Sequence, residues 1–186
     1  IMLGISFAVK IAFQLKKPLA ICIGLGTSQG SHRGEAPLSQ YISSVANFSQ
    51  NAVAVSAGNE GFARRHYMGR MDENKQSETV ELQVGPRESD LGFSMEFWGE
   101  APNFYNVVIQ SPTGEKLPVS AALKRETQEL SFVFVETRVL VNYIPIERRS
   151  GNTLIFFRFL HPAQGIWKLE IEGRRGSIDR FHIWLP

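Results

Sequence analysis

In the first part of the chain the apolar positions change period twice. Ile5, Ala8, Val9 and Ala12 fall at i, i+3, i+4 and i+7, the spacing of one helix face, and Lys16-Lys17 followed by Pro18 supplies a favourable terminal charge and a stop. The spacing predicts a helix over 2–16. Positions 19–25 form a continuous apolar run, too short for a helix between Pro18 and Gly26, which reads as a strand buried on both faces. A polar, glycine-rich loop follows over 26–37. Leu38, Tyr41, Ile42 and Val45 then restore helical spacing, with Pro37 suited to a helix start, and 53–57 returns to strand. The order α-β-α-β predicts a piece of a doubly wound parallel α/β sheet, in which ligands lie beyond the carboxyl ends of the strands.

Further on, the period becomes two. Val80, Leu82 and Val84, then Phe93, Met95 and Phe97, then Val107 and Ile109 alternate with polar residues, and further strands are predicted at 130–135, 138–144, 154–160, 166–172 and 181–185. Turn signals separate them, at Ser111-Pro112-Thr113-Gly114, Ser150-Gly151-Asn152, His161-Pro162-Ala163-Gln164-Gly165 and 173–177. Short strands without helical interruption predict an all-β antiparallel sandwich, with jelly-roll topology expected. The pattern divides the chain into a partial α/β core over 1–64, a polar linker over 65–77 and a β-sandwich domain over 78–186.

Composition narrows the partners. With 20 basic and 18 acidic residues in 186, the net charge of +2 gives no field for nucleic acid, and the pairs Arg64-Arg65, Arg148-Arg149 and Arg174-Arg175 are scattered. No nucleic-acid partner is expected. The apolar start is interrupted by Lys10, Gln14, Lys16 and Lys17, so neither a membrane span nor a signal peptide is read there. Because the chain opens inside a helical pattern, it is expected to be a piece of a longer protein. Cys22 lies within an apolar run and reads as a small buried hydrophobe. His32, His66, His161 and His182 show no metal-ligand spacing, and no phosphate loop or cysteine-rich site occurs, so no metal and no cofactor are expected. Trp98, Trp167 and Trp184 sit in alternating apolar strands and read as core, with a sugar-stacking surface the less favoured use.

The chemistry concentrates in Val53-Ala54-Val55-Ser56-Ala57-Gly58-Asn59-Glu60-Gly61, a short strand that ends in a glycine-bracketed turn. An asparagine fixed at the carboxyl end of a parallel strand can aim its N–H at a developing negative charge, the oxyanion-hole role. A plain turn needing a left-handed residue would use the same residues. Upstream, Gly24, Leu25 and Gly26 end the other strand, where glycines let a second backbone approach closely, or let sheet and helix pack tightly.

These two segments together resemble the subtilisin-like serine proteases. Ala57-Gly58-Asn59-Glu60-Gly61 resembles that family's oxyanion-hole segment. Ile21-Cys22-Ile23-Gly24-Leu25-Gly26-Thr27-Ser28-Gln29-Gly30-Ser31 resembles its substrate-binding strand without a gap, departing at Cys22, Gly24 and Thr27. The ending Phe181-His182-Ile183-Trp184-Leu185-Pro186, the Ser-Pro-Thr-Gly turn and Gly165-Ile166-Trp167 are similar to the jelly-roll insertion of the clostridial germination proteases within that family.

The resemblance implies Asn59 as oxyanion donor and Gly24, Leu25 and Gly26 as a peptide-pairing edge. It also implies Ala57 and Gly58 as a wall of the specificity pocket, and Glu60 at its rim, where it would favour Lys or Arg. The implied partners are a peptide or protein substrate and the remainder of the protease domain, and the implied source is bacterial, secreted or spore-associated. The Asp, His and Ser of the catalytic triad would lie on other segments, leaving this piece inactive alone. Ser28, in Gly26-Thr27-Ser28, mimics the nucleophile motif but precedes Asn59, so a loop role is favoured. The competing expectation is a pseudoprotease, or a binding module whose sandwich recognises a protein or carbohydrate.

Overall fold

The computed structural model describes residues 1–73, 75–101, 103–121, 127–173 and 179–186. Arg174, Arg175 and most of the turn signal over 173–177 lie outside the described residues. The chain forms two compact units, Ile1–Arg64 and Arg65–Pro186.

In the first unit, helix α1 (Met2–Leu15) ends where Lys16 adopts a left-handed conformation (φ 53°) and its N–H and that of Lys17 turn back to carbonyls of the last turn. Strand β1 (Leu19–Ile23) follows, then helix α2 (Pro37–Ala46), whose first residue is proline after an extended Ala36, and strand β2 (Asn51–Val55). β1 and β2 pair in parallel, Leu19 with Asn51 through Ile23 with Val55.

The doubly wound parallel sheet expected here is not formed: the parallel sheet has two strands only. Both helices pack on one face of it. Ile5 and Val9 from α1 and Leu38, Tyr41, Ile42 and Val45 from α2 form one cluster with Ile21, Ile23 and Val53. The opposite face, made of Ala20, Cys22, Ala52 and Ala54, is exposed. A doubly wound sheet needs helices on both faces, so the run at 19–25 is covered on one side rather than two. Cys22 is accordingly exposed, not buried as its apolar setting suggested.

The second unit begins sooner than its alternation indicated, for residues read as linker carry strand β3 (His66–Met71). Then come β4 (Ser77–Val84), a short helix α3 (Pro86–Leu91), β5 (Phe93–Gly99), β6 (Asn106–Gln110), β7 (Lys116–Val119), β8 (Gln128–Phe132), β9 (Thr137–Ile144), β10 (Thr153–Leu160), β11 (Gly165–Glu172) and β12 (Asp179–Trp184). They make two sheets, ordered β3-β12-β5-β10-β9-β8 and β4-β11-β6-β7, with every pairing antiparallel. The antiparallel pairing that the alternation predicts is present in both sheets. Period-two burial is strict in β4, β9, β10 and β11, because one face of each meets the shared core and the other does not.

That core contains Met95, Phe97, Phe132, Val141, Ile155, Phe157, Phe159, Trp167, Leu169 and Phe181. Phe181 stands between two glycines, opposite Gly69 on one side and Gly99 on the other. Its ring takes the place a Cβ at Gly69 would occupy, and the Tyr105 ring does the same at Gly99. Two missing side chains therefore make room for two large rings. Tyr143 closes the polar account beside them, its hydroxyl donating to the Tyr105 carbonyl at 3.0 Å and accepting the Tyr105 N–H at 3.2 Å. Burial pushes the Tyr143 hydroxyl up from its usual value.

At the first edge of this core the Tyr67 hydroxyl donates to Glu78, whose carboxylate also meets Lys75 Nζ at 2.9 Å. Burial, reinforced by the Glu78 hydrogen bond and its negative charge, pushes Tyr67 up to about 12. Its folded value is raised, so this contact contributes stability that is complete below the ordinary tyrosine range and is lost as pH rises through about 12.

Candidate functional site

The two segments singled out in the sequence leave the sheet at the same edge. Ile23 and Val55 are the last paired residues of β1 and β2, and the Ser56 N–H donates to the Ile23 carbonyl at 3.0 Å just beyond them. Gly24 to Gly26 and Ala57 to Glu60 thus issue from adjacent carboxyl ends. All of Gly24, Leu25, Gly26, Ala57, Gly58, Asn59 and Glu60 are exposed, Leu25 at 58%.

The turn after β2 separates backbone need from side-chain chemistry. Its left-handed residue is Gly58 (φ 83°), and Asn59 is not among the residues of positive φ. The conformation therefore calls for glycine at 58 and leaves the residue at 59 open. A carbonyl–amide bond from Ala63 N–H to Glu60 O at 2.8 Å closes the following turn. Among the described residues the Asn59 side chain makes no hydrogen bond, so it is not spent on capping its own turn.

Gly24 and Gly26 behave differently from Gly58. A Cβ built at either meets no atom within 4 Å, and neither has the positive φ that excludes side chains. Tight packing between sheet and helix, one of their two readings, is not found among the described residues.

The loop beyond them holds itself together. Gln29 N–H donates to Thr27 Oγ1 at 3.1 Å, Ser31 Oγ donates to Glu35 Oε2 at 2.8 Å, and His32 Nε2–H donates to the Ser28 carbonyl at 2.8 Å. The one histidine near Ser28 in sequence thus bonds its backbone oxygen rather than acting on its hydroxyl. No group of three or more potential metal ligands occurs among the described residues.

Sequence reasoning missed a second cluster, on the outer face of β3, β12 and β5. Trp167 and Trp98 are buried as expected, whereas Trp184 is half-buried, and Phe97 and Ile183, beside Trp98 and Trp184 in their strands, are the ones that join the main core cluster. Trp98 Nε1 donates to Glu96 at 2.8 Å, and Trp184 stacks on His66. Glu96 and Trp98, like His182 and Trp184, are two apart in their strands, a period-two signal; that the strands adjoin was not legible.

The fold is that of part of a protease. Over its whole length the chain is similar to a solved structure of the CspB protease of Clostridium perfringens, with 26% identity and a TM-score of 0.85. The chain spans 39% of the length of that protein. No protein-family model matches the chain, and no curated protein does.

Proposed function

We propose that the chain is the central part of a subtilisin-like serine endopeptidase, inactive alone and completed by segments that bear the Asp, His and Ser. Asn59 then donates its side-chain N–H to the oxyanion, and Gly24, Leu25 and Gly26 pair with an extended peptide substrate. Ala57 and Gly58 form a wall of the pocket for the residue before the scissile bond, and Glu60 at its rim favours Lys or Arg there. One observation carries the reading: both motifs leave one edge of the sheet in a chain that matches a protease throughout.

The catalytic step asks little of this piece beyond positioning. The serine oxygen adds to the scissile carbonyl while histidine takes its proton, and the negative charge moves to the carbonyl oxygen. A neutral amide N–H held at that point stabilises the charge only as it develops, which raises turnover more than binding. The exposed carboxylate of Glu60 would attract a cationic side chain by a screened interaction, giving preference rather than absolute selection.

Fluorophosphonate labelling of the longer protein tests the assignment, with this chain as control. A single adduct on the longer protein, at a serine outside these residues, is the expected result. A folded longer protein that takes no adduct would instead be a pseudoprotease, and an adduct on Ser28 would relocate the nucleophile.

The peptide-pairing edge has its own test. Gly26→Ala should change stability by less than about 1 kcal/mol, since its Cβ meets open space. In the longer protein it should raise KM for an extended peptide several-fold while a small ester substrate is unaffected. Equal loss with both substrates would remove the pairing role.

A further inference from the structure

The outer-face cluster of the six-stranded sheet is unused by the protease chemistry. His66 is the first residue of β3, an edge strand, and stands opposite Trp184 of β12. The imidazole lies on the indole with centroids 3.7 Å apart and planes 14° apart. Its Nε2 lies 2.9 Å from Nδ1 of His182, the two imidazole planes being 12° apart. The contact joins residues 116 positions apart in sequence.

A hydrogen bond between two ring nitrogens needs one N–H and one lone pair. That requirement is met while at least one ring is neutral. A first added proton is accommodated, because the bond becomes charge-assisted and a cationic His66 would lie over the Trp184 ring. A second proton makes both facing nitrogens N–H donors and removes the acceptor. Two like charges would then sit with ring centroids 5.2 Å apart.

We infer that His66 and His182 form an acid-released clasp holding the start of edge strand β3 to β12. The charged residues that face the pair across the ladder carry both signs. Arg70 and Arg180 face each other across the same two strands, and add positive charge. Glu96 on β5 lies opposite Trp184, and Trp98 lies opposite His182. The Glu96 carboxylate, which accepts from Trp98 Nε1, favours imidazolium nearby but cannot restore a bond that has lost its acceptor. Met68, opposite His182, carries no charge. The ladder between β3 and β12, and the Leu185 N–H donated to Arg65 O at 2.8 Å, remain in place. Acid therefore loosens the strand without detaching it.

The test is amide hydrogen exchange of the full chain at about pH 7.5 and about pH 5, either side of the ordinary imidazole range. Rates are corrected for the intrinsic pH dependence of exchange. Protection of the paired amides over 66–71 should fall roughly tenfold or more at the lower pH, while β10 amides keep theirs. In His182→Asn that pH dependence should disappear. His66→Phe, which keeps a ring on Trp184 but cannot titrate, serves as an independent second variant should the first not fold. Glu78→Gln should leave the effect intact, separating it from the Tyr67 contact on the same strand. Unchanged protection of β3 between the two pH values would overturn the proposal, as would a pH dependence that persists in both histidine variants.

Discussion

Asn59→Ala in the longer protein is expected to lower kcat by about 100- to 1000-fold with little change in KM, a magnitude borrowed from the known loss of the oxyanion-hole asparagine in subtilisin rather than derived for this chain. The local structure makes that result interpretable. Asn59 is exposed, its side chain makes no hydrogen bond among the described residues, and Gly58 supplies the turn's left-handed conformation. Stability should therefore move by less than about 0.5 kcal/mol. Steady-state kinetics beside thermal unfolding separate the two effects. A variant with full turnover would sink the oxyanion assignment, and one that loses stability and turnover together would make Asn59 a structural residue.

The largest effect on stability should come from Trp167→Ala. Trp167 is fully buried, with edge-to-face contacts to Phe132 at 5.0 Å and Phe159 at 5.5 Å, and its Nε1 donates to the Ala163 carbonyl at 2.9 Å. Removing a buried indole leaves both a cavity and an unpaired carbonyl, and costs about 3–5 kcal/mol. That is a large fraction of the stability of an ordinary domain. Denaturant unfolding of the second unit measures it directly. A loss below about 1 kcal/mol would mean that the two sheets do not share the tightly packed core described.

The alternation that placed β9, β10 and β11 was legible because each strand has one wet and one dry face, and a period of two follows from that asymmetry alone. Where the asymmetry was weak, the reading failed. β3 was read as linker because its inward positions include Gly69, whose missing side chain is supplied by the Phe181 ring from another strand. β7 was overlooked because Pro118 interrupts four residues of sheet edge. In β1 the run at 19–25 could not reveal that its Ala20 and Cys22 side faces open space. Small apolar residues fit a covered face and a bare one equally well. At the candidate site the two motifs were readable as local patterns, and their common edge followed once β1 and β2 were known to run parallel. The His66–His182 contact was not readable, since it depends on which distant strands become neighbours.

The pairing of β3 with β12 also sets an order of events during synthesis. Among the described residues the first strand of the second unit pairs with β12 alone, so that ladder over His66 to Met71 must wait until residues 179–184 have been made. At ordinary translation speeds that delay is on the order of ten seconds. Helices α1 and α2, by contrast, need only the strands beside them and can form earlier. Through that interval β3 is an unpaired strand, open to any exposed sheet edge it meets. The segment carries Arg70 and follows Arg64-Arg65, and charge on an unpaired strand disfavours edge-to-edge pairing.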